Sequence, residues 1–398
     1  MVFFCVAIKL CYNTLNFAER YMKFTCDQSV LSENLALVNR AVPSRATHPV
    51  LTCILVSVEA SQDAISLTSF DLSLGVNVTF TANVERGGVA AIPAKLLSEI
   101  VSKLPKGEVT LEDDEDSIIS LTSSSGTYRV RCMNAEEFPR LPEIVDGTQV
   151  TLNPTELRSG LQNTLFAAAT DEAKQVLNGV HFAISETILE FASTDGHRLA
   201  MVTMASEDVT DVSLNVTVPL KALVEVEKIL HKTTNPVRIS FSEEQLVLTV
   251  NEPNQSRKRI TTRTLAGAYP NYHVLIPPTF ERKIIVDRRL LLSTIERISV
   301  YSTKPTDACK CIISTDAQEL ILSIDAKETG DCKEAIPAQV SGESLEMAFN
   351  IKYLLDILRV ATLSELEICV NGALTPVVFK PVGDVTTSFL VMPVQLRS

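Results

Sequence analysis

The stretch PAKLLSEIVSKL at residues 93–104 has two counterparts further along the chain, PLKALVEVEKIL at 219–230 and NIKYLLDILRVA at 350–361. Each carries a lysine, leucines at helical spacing, and an acid four residues after the lysine, a pattern that supports an amphipathic helix. The lysines Lys95, Lys221 and Lys352 stand 126 and 131 residues apart. That spacing predicts a threefold repeat whose unit is a domain, since solenoid units are only roughly 20–50 residues long.

A second helix is predicted ahead of each: SVLSENLALVNRAV (29–42), PTELRSGLQNTLFAAA (154–169) and DRRLLLSTIERISVYS (287–302). Between the two helices lie ILVSVEASQDAISLTSFD, VHFAISETILEFASTD and CIISTDAQELILSIDA, which alternate as half-buried strands do around polar turns. Their last aspartates, Asp71, Asp195 and Asp325, are 124 and 130 apart, in the register of the lysines. More strands follow in VTLEDDEDSIISLTS, VRISFSEEQLVLTVN and LEICVNGALTPVVFK. The chain is therefore α+β, with helix, strands, helix and strands written three times. EFPRLPE (137–143) and YPNYHVLIP (269–277) read as linkers, which sets domains at 22–146, 147–277 and 278–398.

Residues 1–21 lack a basic start, a long apolar run and a cleavage site, and are expected to be a poorly ordered extension rather than a signal peptide. No run of about 18 apolar residues predicts a membrane span. Nine cysteines without framework spacing read as small buried thiols in a reducing cytoplasm, and five scattered histidines argue against a metal site.

The densest polar stretch is STDGHRLAMV (193–202). Asp195-Gly196 is a strong hairpin signal, because glycine accepts the positive φ that such turns need. A hydrolase using Asp195 and His197 is the rival reading, but the matching turns TSFDLSLG and SIDAKETG keep an aspartate and lack the histidine. No nucleophile elbow, zincin helix or phosphate loop is present. No catalytic residue and no cofactor are assigned. The run EDDEDS (112–117) reads as a solvated turn rather than a cation loop.

Several of these segments resemble the bacterial sliding clamps, the beta subunits of DNA polymerase III: MKFT at 22–25, LNG at 177–179, TDGHRLA at 194–200, YPNY at 269–272, FNIKYLLDIL at 349–358 and LVMPVQL at 390–396. The likeness spans Met22 to Leu396. It implies three tandem DNA-clamp domains, with two chains closing head to tail into a ring, helices inside and sheets outside, around double-stranded DNA. It also implies a processivity factor without catalysis that holds the polymerase III catalytic subunit on its template. A separate clamp loader must supply ATP-driven opening, since this chain has no P-loop.

The net charge of −12 opposes DNA coating, yet the six helix windows sum to +5 and leave −17 for the rest. A mildly positive bore in an acidic shell suits sliding. Candidate DNA-facing residues are Lys95, Lys103, Arg158, Lys221, Lys228, Arg288, Lys352 and Arg359, with Arg45 added by the resemblance. The resemblance also implies a pocket for client peptides between domains two and three, shared by the polymerase, the loader and other clamp-binding proteins. It would comprise Leu177, Thr194, Gly196, His197, Arg198, Leu199, Pro270, Asn350, Tyr353, Leu374, Pro376, Leu390, Val391, Met392 and Pro393. Leu177, Leu199 and Leu374 serve equally well as ordinary core, whereas Met392 and Pro393 at a chain end are expected to be exposed. Relatives often carry arginine after YPNY; His273-Val274 stands there here, so a polar clamp on the peptide is expected to be missing. For the homodimer joint, the resemblance points to Tyr128 and Val130, expected on one strand face, and to Val300 and Tyr301. A three-domain scaffold that binds peptides without encircling DNA is the second rival.

Overall fold

The computed structural model describes residues 22–114, 117–144, 147–185, 187–205, 213–231, 233–242, 244–252, 256–302, 308–326 and 330–395. The expected extension at 1–21 lies outside them. Among the described residues, each copy opens on a strand that the hydrophobic pattern did not announce: Lys23–Asp27, Thr148–Leu152 and Arg282–Asp287. Helices α1 (Gln28–Val38), α3 (Pro154–Thr164) and α5 (Arg288–Ile298) follow directly. Each starts under an Asx cap: Asp27 accepts from the Ser29 amide, Asn153 from Thr155, and Asp287 from Leu290, at 2.7–2.8 Å. Strands then lead to α2 (Ala94–Lys103), α4 (Leu220–Leu230) and α6 (Ile351–Val360), and three more strands close each copy.

The helices pack in pairs, α1 with α2, α3 with α4 and α5 with α6. Each buries one stripe, such as Leu291, Ile295 and Ile298 of α5 or Ile351, Leu354, Ile357 and Leu358 of α6.

The chain divides into two compact units, one of the described residues up to 141 with those of 252–259, the other of the remainder. The first contains a sheet in which Gly126–Arg131 is an edge strand beside Ile118–Ser123. The second contains a nine-stranded sheet that runs without a break from copy two into copy three. Its seam pairs Arg198–Ala205 antiparallel with Thr387–Val391, matching Arg198 to Val391, Leu199 to Leu390 and Val202 to Thr387. In that unit α3, α5 and α6 lie on one face of the sheet. Gly160 of α3 sits so close to the Phe191 ring that a Cβ would fall 2.5 Å from it. Leu291, Ile295, Leu354 and Ile357 share one core with Ile284, Phe389 and Val391. A separate four-stranded sheet of copy three ends on the strand Gly330–Pro337.

Candidate functional site: the turn at Asp195, the seam and the charged helix faces

The TDGHRLA stretch forms strand, turn and strand, with Gly196 at φ +91°. One carboxylate oxygen of Asp195 accepts from the amides of His197 (2.8 Å) and Arg198 (3.1 Å). The other accepts from the Arg198 side chain at 3.1 Å. The carboxylate thus shapes the turn and holds a guanidinium, and orients no imidazole.

Alternation along the seam sorts its residues onto two faces. Arg198 turns toward the helices, only 6% exposed. Its guanidinium donates to Asp356 of α6 at 2.6 Å and to the Phe166 carbonyl at 2.5 Å, between the Tyr353 and Phe166 rings. Val391, its partner across the seam, is fully buried in the same core. Both were expected in the pocket; alternation along the strands puts them on the helix side, away from Leu199 and Leu390. Leu199 and Leu390 occupy the opposite face with Ala192, Tyr272, Cys369 and Val378, and Met201, Tyr269, Ile276, Phe280 and Met392 pack at the margin.

The remaining expected pocket residues do not all gather at this floor, since Tyr353 belongs to α6 and Asn350 to its cap, on the helix side. Thr194 is buried and its hydroxyl donates to the Arg198 carbonyl at 2.6 Å. His197, Gly196, Pro270 and Leu374 are exposed, while Leu177, Tyr353 and Pro376 are half-buried. Asn350 caps α6 by accepting from the Lys352 amide. Met392 and Pro393 were expected to be exposed. They are half-buried, since the Met392 amide donates to the His197 carbonyl at 2.9 Å and its side chain rests on the floor.

Sequence reasoning missed Lys174, Tyr269 and Glu190. The Lys174 ammonium donates to the Asp195 carbonyl at 2.7 Å. The Tyr269 hydroxyl accepts from the Thr194 amide at 3.0 Å. Burial, aided by the neighbouring Glu190, raises the Tyr272 phenol well above its usual range. Glu190 is buried and takes the Tyr272 hydroxyl at 2.5 Å and His273 at 3.1 Å. Its position in an apolar strand offered no signal beyond one charge within ILEFA, residues 188–192.

The charged helix faces are more self-paired than their sequence suggested. Arg158 meets Glu227 at 3.2 Å, Lys228 meets Glu225 at 2.8 Å, and Arg359 meets Glu296 at 3.1 Å. Lys352 lies 3.8 Å from Asp356, the expected i,i+4 pair. Arg288 donates to the carbonyls of Leu363 and Leu358, so its guanidinium satisfies groups left open where α6 ends. Arg45, Lys95, Lys103 and Lys221 are exposed.

Tyr128 is 39% exposed on the edge strand of the first unit, but Val130 is 1% exposed, packed into its own copy rather than presented with Tyr128. Val300 is 81% exposed, next to half-buried Tyr301, on a short helical turn that packs beside the edge strand Gly330–Pro337. Five of the described cysteines are buried and none is paired; burial pushes the Cys26 and Cys309 thiols up to about 12. Among the described residues no cluster could hold a metal ion, and no helix is long and apolar enough to cross a membrane.

Three family models match the chain in order: the N-terminal domain of the DNA polymerase III beta subunit over residues 22–142, its central domain over 151–271, and its C-terminal domain over 273–395. The chain is 42% identical to the beta sliding clamp of Synechococcus elongatus over 379 residues, covering 95% of this chain and 100% of the relative. It is 38% identical to the beta sliding clamp of Synechocystis over 396 residues, with 94% and 100% covered. Among solved structures, the DNA polymerase sliding clamp of Bacillus subtilis superposes with a TM-score of 0.89 at 29% identity, covering 95% of this chain and all of that one. The Bartonella birtlesii sliding clamp bound to griselimycin gives 0.89 at 31% identity, with the same coverage.

Proposed function

This chain belongs to the bacterial beta sliding clamps, the non-catalytic beta subunits of DNA polymerase III, and from that premise we propose that two copies close head to tail into a ring around duplex DNA. The ring makes the polymerase processive by encirclement and holds it, like the loader and other clients, through the apolar floor beside the Asp195 turn. Its domains are taken as 22–146, 147–277 and 278–398, and its place of work as the cytoplasm.

The observation that carries this reading is the seam. Within the second unit, the last strand of copy three pairs with the strand after the Asp195 turn of copy two. Each half of that joint has an unpartnered equivalent. Leu111, Leu121 and Tyr128 of copy one repeat the register of Ile368, Phe379 and Phe389 of copy three. The Thr194–Leu199 pair of copy two recurs as Ile324–Cys332 in copy three. Gly126–Arg131 and Gly330–Pro337 are thus the two halves of a seam, each at a sheet edge, and an open edge needs covering. Joining them between chains is heterologous, and two such joints close a ring when the rotation is right. The first edge carries Arg129 and Arg131 and the second Asp331 and Glu334, and this opposite charge favours their encounter.

Helices of both copies on one face of the sheet that holds the seam, with Lys221 exposed on α4, support a helix-lined bore that attracts phosphates without fixing any one of them. The apolar floor, with Thr194, Gly196, His197, Leu199, Leu390 and Met392 around it, has the mixture that extended peptides require.

The deciding experiment loads the protein onto nicked circular DNA and then linearises the circle, with the molar mass measured alongside. A dimer mass and release on cutting are expected. Release unaffected by free ends would overturn encirclement.

A further inference from the structure

Beside the apolar floor lies a buried carboxylate in contact with a histidine. Glu190, 8% exposed, stands on the strand Ile188–Thr194. One of its oxygens accepts from the Tyr272 hydroxyl at 2.5 Å and meets His273 Nε2 at 3.1 Å. The other accepts from the Thr203 hydroxyl at 3.0 Å. His273 is the basic side chain that meets Glu190 within ion-pair distance among the described residues. Behind the tyrosines, from the strand Gly179–Ser185, His181 stacks on Tyr269 at 4.7 Å and stands edge-on to Tyr272. Burial disfavours the charged form of His181, and its Nδ1 is engaged by the Thr217 hydroxyl at 3.1 Å, so it does not substitute for His273.

His273 begins the single helical turn His273–Leu275, in which the Leu275 amide donates to the Tyr272 carbonyl and the Ile276 amide to that of His273. Ile276 then packs on the floor with Leu199, Leu390 and Met392, while Val274 and Leu275 stand 74% and 44% exposed. The turn is a lip over the floor, tethered at its far end by Ile276 and at its near end by the ion pair with Glu190.

Resting on the reading of this floor as the client pocket, we propose that Glu190 and His273 form a proton-dependent latch that positions the lip for the incoming peptide. A charge-assisted bond is about twice as strong as a neutral one, and an imidazole changes charge between about pH 5 and 8. With His273 protonated the lip is ordered before binding, so less ordering remains to oppose association. With His273 neutral the tether weakens and the ligand must order the lip itself. Glu190 and His273 are positioning residues here, and the exposed apolar pair Val274 and Leu275 is what they position.

The test measures griselimycin affinity by calorimetry at about pH 6 and about pH 8 for the wild-type protein, His273→Gln, His273→Arg, Glu190→Gln and Met392→Ala, each checked for an unaltered fold by circular dichroism. A partly exposed ion pair is worth up to about 1 kcal/mol, so the wild type should bind about two- to fivefold tighter at the lower pH. His273→Gln and Glu190→Gln should lose that gain. His273→Arg should keep the tight value at both pH values. His197 remains in every variant, so its contribution is common to all of them. If Met392→Ala weakens binding while His273→Gln retains the wild-type dependence, the latch is wrong and the pocket stands. If Met392→Ala binds as the wild type does at both pH values, the pocket reading itself fails and the latch with it.

Discussion

The guanidinium of Arg198 and the carboxylate of Asp356 lie 2.6 Å apart although 158 residues separate them along the chain. With Asp195, the Phe166 carbonyl and the Tyr353 ring, Asp356 completes a cage in which each of the three guanidinium nitrogens donates a hydrogen bond. A buried charge relieved of its counter-ion costs several kcal/mol, and here two carboxylates would be left behind. Arg198→Ala should therefore lower the stability of the second unit by about 3–5 kcal/mol. Arg198→Lys should recover little, because an ammonium cannot fork between three acceptors. Chemical denaturation reads both, and a loss below about 1 kcal/mol in Arg198→Ala would contradict the cage.

Gly160 is the point where α3 touches the sheet. A Cβ there would sit 2.5 Å from the Phe191 ring, which is fully buried and itself meets Phe182 edge-on. The helix would have to lift or the ring leave its rotamer. Gly160→Ala, though a better helix former, should destabilise by about 1–3 kcal/mol. A gain in thermal stability would show that the contact yields.

The proposed inter-chain register can be read chemically. Cys332 occupies the place of Leu199, and Arg129 the place of Leu390, which oppose each other in the seam. Opposed antiparallel residues lie about 4.5–5.5 Å apart, inside the span of a disulfide. In a Cys132→Ser background, Arg129→Cys should form an inter-chain bond with the partner subunit's Cys332 under mild oxidation. Tyr128→Cys, which points to the other sheet face, should not. Equal cross-linking by both would refute the register.

Burial, with Asp114 alongside, raises the Asp113 carboxyl to about 6. A carboxyl raised in the fold favours its neutral form there. Its contribution to stability is complete below the ordinary carboxylate range and is lost as pH rises through about 6. Asp113→Asn, which is never charged, should thus melt higher than the wild type at about pH 8, and the gap should shrink by about pH 4. Differential scanning at both pH values measures it; a gap that widens on acidification would reverse the assignment.

The threefold repeat was legible because its carriers are local. Lysine, leucine and acid at helical spacing, and alternation on either side of Asp71, Asp195 and Asp325, survive without knowledge of neighbours. The Asp195-Gly196 turn was legible for the same reason. What escaped was decided across the sheet. Arg198 and Val391 looked like pocket residues beside Leu199 and Leu390, and only the pairing of strands shows that they face the helices. Arg158, Lys228 and Arg359 looked like free cations until the fold brought Glu227, Glu225 and Glu296 beside them. The partnership of His273 with Glu190 spans two linearly distant segments, so neither end announced the other.

Amide and carbonyl groups are the same on every residue but proline, which lacks the amide hydrogen. A joint stitched from them, as along the five pairs from Arg198 to Val202, keeps its backbone bonds when an outward-facing side chain is exchanged. Load pulling the two copies apart is shared across the stitches, so no one backbone bond carries it alone.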